Sequence, residues 1–347
     1  MSRDGHVTFN KCFIIAEAGS NHNGSLDQAK RLVDVAKDAG ADAVKFQLFR
    51  AKTLYPNKHI KVKYLKDMGI REGLFEIIRK FEMPYTWVKE LYSYTKKNDI
   101  MFMTTPFDAK AVEVLNPYVD IFKIASYESL FLDLICAVKQ TKKPLFISTG
   151  GCTEEEVDLL MKGALYDYLD KTTLLHCIAK YPAPLDQLQL QVIPHFSRKY
   201  GVTVGYSDHS EDPIIAPVCA VALGAKVIEK HFTLSKQLPG PDHAFAVEPD
   251  ELQAMVKAVR MTEKTVAGSG KRTLQPCEKE LYYYKRCLYS RRDLSKGHRI
   301  RKSDVTVLRN VGLKCDYFNP IEIDDLIGRT LKGDKRANDI ITKEDVT

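Results

Sequence analysis

The chain has 347 residues, 44% of them hydrophobic and 28% charged, with a net charge of +7. This is the profile of a soluble globular protein, and the length suits one large domain followed by a small one. The mild basic excess is compatible with phosphates and carboxylates as ligands and equally with plain surface composition. Its one cluster (Lys285, Arg286, Arg291 and Arg292) lacks the aromatic interleaving of a base-stacking surface, so nucleic acid is not an expected partner.

The eight cysteines form no C-x-x-C pair. They suggest no zinc or disulfide framework and read as buried thiols in a reducing compartment. The opening MSRDGHVTFN has no apolar segment of the signal-peptide kind, and no apolar run is long enough to cross a bilayer. A cytoplasmic protein with no membrane partner is expected.

From about residue 12 to 266 short apolar runs alternate with helical patterns. The predicted strands are 13–19, 43–49, 100–106, 121–126, 144–149, 173–177, 202–207 and 226–232. Between the first two, Leu26, Ala29, Leu32, Val33 and Ala36 fall at helical spacing. Eight β–α units over this length predict an α/β fold of the (β/α)8 TIM-barrel type. A doubly wound open sheet ranks below it, because no G-x-G-x-x-G follows the first strand. An insertion at about 50–84 holds no clear strand, and its place after a barrel strand suits a substrate cover.

The barrel domain is therefore placed at 1–266, a Gly-, Ser- and Pro-containing linker at 267–284, and a small β-rich domain at 285–347. Strand-like pieces in the last segment are CLYSRRDL, VTVLRNV and GRTLKG. An internal echo relates Ile300-Arg-Lys302-Ser-Asp304-Val305 to Ile341-Thr-Lys343-Glu-Asp345-Val346. Two similar turn starts in a small fold account for it.

In a barrel of this kind the chemistry sits at the C-terminal ends of the strands. Those ends are rich in polar groups here. In chain order they carry Glu17 with Ser20 to Gly24, Lys45 with Gln47, Thr104 with Thr105, and Lys123 with Ser126 and Glu128. Then come Ser148 with Gly150, His176 with Lys180 and Tyr181, Ser207 with His209, and Glu229 with His231 and Thr233. Burying so many charges costs several kcal/mol each unless they are paired or bound to a ligand. Lys45, Lys123, Thr105, Ser126 and Ser148 offer cationic and hydroxyl donors suited to a phosphate together with a carboxylate. His209 and His231 come from adjacent strands and suit a divalent metal, Mn²⁺ first, with Mg²⁺ or Zn²⁺ as alternatives.

Several ordered motifs carry a resemblance. IAEAGSNHNGS at 15–25, AVKFQ at 43–47, TTPFD at 104–108, FKIAS at 122–126, STG at 148–150, YSDH at 206–209, EKHFT at 229–233 and GPDHAFAVEP at 240–249 are similar to the sialic acid synthases. That group includes the N-acetylneuraminate, legionaminate and pseudaminate synthases. The C-terminal segment resembles the family's antifreeze-like (SAF) domain.

The resemblance implies condensation of phosphoenolpyruvate with an N-acyl-hexosamine aldehyde, either N-acetylmannosamine or a 2,4-diacetamido-trideoxyhexose. It implies that Lys45, Thr105, Lys123, Ser126 and Ser148 hold phosphoenolpyruvate, and that His209 and His231 ligate Mn²⁺. Glu17, Tyr181 and Asp242 would contact the sugar, and Glu128 would sit near the reacting carbons. In a homodimer the SAF domain of one subunit would cap the barrel of the other, bringing Arg309 to the N-acyl group.

One stretch departs from the pattern. Members often have two polar residues after the His-Cys of strand 6, where this chain has Ile178 and Ala179 before Lys180 and Tyr181. That leaves the acceptor open more than the reaction. GPDH at 240–243 leans towards neuraminate- or legionaminate-type acceptors. The alternatives are another phosphoenolpyruvate-dependent keto-acid sugar synthase or aldolase, or a carbohydrate-binding protein with the barrel as scaffold.

Overall fold

The computed structural model describes residues 9–56, 73–268 and 270–347, which divide into two compact units between Ala267 and Gly268. In the first unit the strands are β1 (Phe13–Gly19), β2 (Ala43–Leu48), β3 (Met101–Pro106), β4 (Phe122–Ile124), β5 (Leu145–Ser148), β6 (Thr172–Cys177), β7 (Thr203–Asp208) and β8 (Val227–His231). All the paired strands run parallel, in the order β3-β2-β1-β8-β7-β6-β5-β4. β4 returns to the side of β3, so the sheet is a nearly closed barrel. The first strand sits between the second and the last, which an open doubly wound sheet of this chain order would not give.

The helices follow from local chemistry. Ser25 caps Leu26–Asp38 by accepting from the Gln28 N–H, and Ala29, Leu32, Val33 and Ala36 face inward. β4 stops earlier than its apolar run suggests. Ser126–Glu128 turn into a 3-10 helix closed by the Glu128 N–H on the Ala125 carbonyl at 3.1 Å. The insertion contains helices Ala51–Leu54 and Leu74–Lys80; the part of the expected cover at 57–72 lies outside the described residues.

Alternation along each strand sorts the side chains into two sets. One set, including Ile14, Val44, Phe46 and Ile228, packs under the surrounding helices. The other points into the barrel, where Ile15, Ala43, Met103, Ile121, Phe146, Leu175 and Val227 form a dry plug. Gly205 of β7 makes room for that plug. A Cβ there would lie 2.6 Å from the Val227 Cβ and 2.7 Å from a Leu175 methyl.

In the second unit β9 (Arg286–Ser290) pairs antiparallel with β10 (Val305–Arg309). GRTLKG contributes single bridges at Thr330 and Leu331. The internal echo is structural. Lys302–Asp304 and Lys343–Asp345 are matching 3-10 turns, closed by Asp304 on the Arg301 N–H at 2.9 Å and by Asp345 on the Thr342 N–H at 2.7 Å. Ile300, Val305, Ile341 and Val346 are buried beside them.

The cysteines correct one expectation. Cys12, Cys177 and Cys287 are buried, but Cys136, Cys219 and Cys277 are exposed, because they fall on the outward faces of surface elements. No described helix is long and apolar enough to cross a membrane.

Gly205→Ala is expected to lower the stability of the folded chain by about 1–3 kcal/mol, through overpacking of the lumen. Equilibrium urea unfolding measures this, and an unchanged midpoint would mean that the plug has slack.

Candidate active site

One two-residue step beyond the plug, towards the C-terminal ends of the strands, the inward positions turn polar. Ile15 is followed by Glu17, Ala43 by Lys45, Met103 by Thr105 and Ile121 by Lys123. Phe146 is followed by Ser148, Leu175 by Cys177, Gly205 by Ser207 and Val227 by Glu229. The next step brings His209 and His231.

Four of these groups form a buried ion network, each between 1% and 4% exposed. Lys45 Nζ lies 2.6 Å from Glu17, 3.5 Å from Glu229 and 3.1 Å from Thr105 Oγ1, to which it donates. Lys123 Nζ lies 3.7 Å from Glu229. Ser207 Oγ donates to Glu229 at 2.8 Å and Gln47 Nε2 to Glu17 at 2.9 Å. Burial works against charge on Glu229, but Lys123 and Lys45 outweigh it and hold its pKa at about 2. Burial likewise opposes the Lys45 ammonium, and Glu17 with Glu229 outweighs it, so Lys45 titrates above its usual range. Burial lifts Glu17 above the ordinary carboxylate range, with Lys45 opposing and Glu229 reinforcing the rise. Burial also depresses Lys123, against the pull of Glu229. Glu229 is thus the firmly ionised carboxylate, shared by both ammonium groups.

His209 and His231 face one another with ring centroids 5.5 Å apart. His209 Nδ1 lies 2.8 Å from the Ile178 carbonyl. A carbonyl only accepts, so Nδ1 carries the proton and Nε2 keeps its lone pair. His231 Nδ1 is buried with no hydrogen-bond partner. Burial pushes His209 down to about 4, and burial, reinforced by the neighbouring His209 ring and the Lys45 ammonium, pushes His231 well below its usual value. Two neutral imidazoles with free lone pairs fit a divalent cation. No group of three or more His, Cys, Asp or Glu forms a metal cage among the described residues, so the chain offers a two-residue, open set.

On the outer side, Tyr181 stacks on His209 at 4.1 Å and packs on Phe245 at 4.9 Å, and Phe245 reaches His231 at 5.3 Å. Gly19, at φ +52°, leaves space that a Cβ would fill, 3.2 Å from Asp242 Oδ2 and 3.4 Å from Glu17 Oε1. Asp242 hydrogen-bonds Ser20, yet burial and the nearby Glu17 push its carboxyl up to about 7. On the other side the Gly150 N–H donates to Ser126 Oγ at 3.1 Å, and Ser148 Oγ and Glu128 Oε2 are buried without partners.

The structure brings Glu17, Lys45, Thr105, Lys123, Ser148, His209 and His231 to one barrel mouth, with Tyr181 and Asp242 beside them. Lys180 is exposed. Arg309 belongs to the second unit, where it ends β10 opposite Arg286 and lines a cavity of about 460 Å³ with Tyr289, Leu308 and Lys335. Sequence reasoning set the lysines out as a cationic cradle and gave Glu229 no role. Its position two residues before His231 was the available signal. Cys177, whose sulfur is 3.5 Å from His209 Nδ1, and Phe245 carried no such signal.

Burial raises the Glu128 carboxyl from 4.5 to about 7, against the pull of Lys123. Below about pH 4.5 the folded and unfolded states bind the same proton. Between about 4.5 and 7 the unfolded state loses it first, so stability falls as pH rises, by about 3 kcal/mol in total, and levels off above. Glu128→Gln should remove this slope. Relative to the parent, the variant should gain about 3 kcal/mol between pH 4.5 and 7.5, read by urea unfolding at both values; parallel pH profiles would show an ordinary carboxylate.

Residues 32–272 match the NeuB family and residues 285–347 the SAF domain. The spore coat polysaccharide biosynthesis protein SpsE of Bacillus subtilis (strain 168) is 38% identical over 312 residues, covering 86% of this chain and 83% of that protein. An N,N'-diacetyllegionaminic acid synthase of Campylobacter jejuni is 38% identical over 305 residues, covering 86% of this chain and 90% of its own. The crystal structure of an N-acetylneuraminic acid (sialic acid) synthetase from Leptospira borgpetersenii, in complex with citrate, matches with a TM-score of 0.70 at 32% identity, over 79% of this chain and 91% of that one. With its polar ring above an apolar plug and its second unit matching a SAF domain, this chain belongs to the NeuB family.

Proposed function

We propose that the chain is a sialic-acid-type synthase. It condenses phosphoenolpyruvate with the aldehyde of an N-acyl hexosamine and, with water, releases a nine-carbon 2-keto acid and inorganic phosphate. The acceptor is N-acetylmannosamine or a 2,4-diacetamido-trideoxyhexose, and the reaction belongs in the cytoplasm. The observation that carries this reading is the stacking of two kinds of group in one mouth: buried ammonium groups on Glu229, and one step above them two neutral imidazoles.

In this reading Lys45, Lys123, Thr105, Ser126 and Ser148 hold phosphoenolpyruvate through charge-assisted and hydroxyl hydrogen bonds. The partnerless Ser148 Oγ is a donor kept for the ligand. His209 and His231 hold the divalent cation, Mn²⁺ first, which supplies Lewis acidity towards a carbonyl oxygen when bound. Glu17 and Asp242 take the sugar hydroxyls, and Tyr181 covers them. Carbon–carbon bond formation leaves positive charge at the former enol carbon. Glu128, a buried carboxyl close to Lys123, stabilises that charge as the carboxylate. Water then adds to this carbon, the carbon–oxygen bond to phosphate breaks, and Lys45 with Lys123 neutralises the departing dianion. Holding both reactants in one mouth contributes roughly 7–11 kcal/mol to lowering the barrier.

Phosphate release is expected only when phosphoenolpyruvate and an N-acyl hexosamine are both present, tested with a panel of acceptors. Chelation should abolish turnover and added Mn²⁺ restore it. Sugar-independent release, or full activity in a His209→Ala, His231→Ala double variant, would refute the assignment.

The proposal extends to a homodimer in which Arg309 of one copy meets the sugar's N-acyl group in another. Its exposure amid the exposed Leu308, Val311 and Leu313 is in keeping with a surface made to be covered. Mixing an Arg309→Ala subunit with a Lys123→Met subunit should then restore part of the activity that each lacks alone. Mixed dimers that form and stay inactive would count against this cap.

A further inference from the structure

Resting on the synthase reading, we propose that His243 is a positioning residue for the acceptor half of the site: it bolts the loop that carries Asp242 and Phe245 to the ends of β1 and β8. The bolt is built from three segments. His243 is fully buried. Its Nδ1 lies 2.6 Å from Thr233 Oγ1, just past the end of β8, and its Nε2 lies 3.0 Å from Asn23 Oδ1, in the loop after β1. With the Asn23 oxygen facing it, Nε2 carries the proton and donates, and Nδ1 shares the single Thr233 hydroxyl proton with the Ser235 carbonyl, 3.1 Å from the same Oγ1. One neutral imidazole therefore satisfies a group on each side of the loop.

The loop is an excursion closed at its base. The Thr233 N–H donates to the Val247 carbonyl at 2.9 Å, and the Val247 N–H to the His231 carbonyl at 3.0 Å. Between those bonds the chain must bring Asp242 against Gly19 and Ser20 and Phe245 against Tyr181 and His231. His243 lies between the two. Gly240 fits the bolt from outside. At φ +150° it takes a backbone that favours glycine, and a Cβ there would lie 2.7 Å from the His243 ring and 3.2 Å from Asn23 Oδ1.

The consequence is directional. Lys45, Lys123 and Glu229 sit on strands, held by their own ion pairs, and do not depend on this loop. Asp242 does. Loss of the bolt should loosen the acceptor side alone, and a displacement of about 1 Å at such a group costs up to 100-fold.

The test is steady-state kinetics on the full chain with Mn²⁺, varying each substrate in turn, for Thr233→Val, His243→Phe, Asn23→Ala and Gly240→Ala. The expected result is a KM for the N-acyl hexosamine raised about 10–100-fold with the KM for phosphoenolpyruvate changed less than about twofold. In the double variant the Asn23→Ala and His243→Phe effects should not add fully, because both remove the His243–Asn23 hydrogen bond. Hydrogen exchange should show faster amides over residues 240–247 and an unchanged barrel core. Thr233→Val is the mildest of the four and keeps the test usable where His243→Phe fails to fold. Equal rises in both KM values, a loss of kcat alone, or unchanged kinetics with a loosened loop would overturn the inference. A parent protein that releases no phosphate with any acceptor would instead overturn the synthase reading, and this inference with it.

Discussion

Four charges shut inside the barrel, Glu17, Lys45, Lys123 and Glu229, are the constraint on which the rest of the site depends. Each loses its water on folding, at a cost of several kcal/mol per ion that only close counter-charges offset. The set contains two acids and two bases, and both bases lie within 3.7 Å of Glu229. Removing any one member leaves the other three with one uncompensated charge over a dry plug of Ile15, Phe146, Leu175 and their neighbours. The plug fills the barrel beneath the network. A second anion entering from the mouth meets ammonium groups already fixed in place, and their reorganisation has been completed by folding.

The same geometry explains why the imidazoles are neutral. Lys45 lies below His231 and disfavours a proton on it, while burial disfavours charge on both rings. A histidine that stays unprotonated across the physiological range can act as a ligand without first releasing a proton. Glu128 and Asp242 show the opposite case. Both are carboxyls raised to about 7 by burial, which Lys123 only partly offsets at Glu128 and which Glu17 reinforces at Asp242. The barrel thus keeps one carboxylate firmly ionised to fix its lysines and two poised to change state, a separation typical of sites that move protons.

Much of this was legible in the sequence because strand periodicity is rigid. Once eight apolar runs were placed, the residues two positions past each inward-facing one were determined, and Lys45, Thr105, Lys123, Ser148 and His231 followed. What stayed hidden depends on contacts between segments distant in the chain. Nothing local told that Glu229 would stand between Lys45 and Lys123, since that pairing joins β2, β4 and β8. Nothing local told that Ser126–Glu128 would leave the strand for a 3-10 turn, or that Phe245 would pack on Tyr181. The cysteines misled for a related reason: an apolar neighbourhood in sequence does not say which face of a helix a thiol occupies, and Cys136 and Cys219 fall on the outer one.

β8 concentrates these demands in three consecutive residues. Glu229 and His231 point into the barrel, while Lys230 between them points outward and is buried against Asp208 at 2.7 Å, also donating to the Asp212 carbonyl at 3.1 Å. That outward pair holds the chain just after β7, the segment carrying His209. The two faces of one strand therefore carry two separate ion networks, one gripping the lysines and the other fixing the loop of the facing imidazole. A slip of one residue in the register of β8 would put Lys230 into the lumen beside Lys45 and Lys123, and would carry Glu229 and His231 away from it. Three ammonium groups without their shared carboxylate cannot be buried together. The charge pattern of β8 thus enforces its own register, and the condition that makes the barrel fold correctly is the one that sets its imidazole above its ion network.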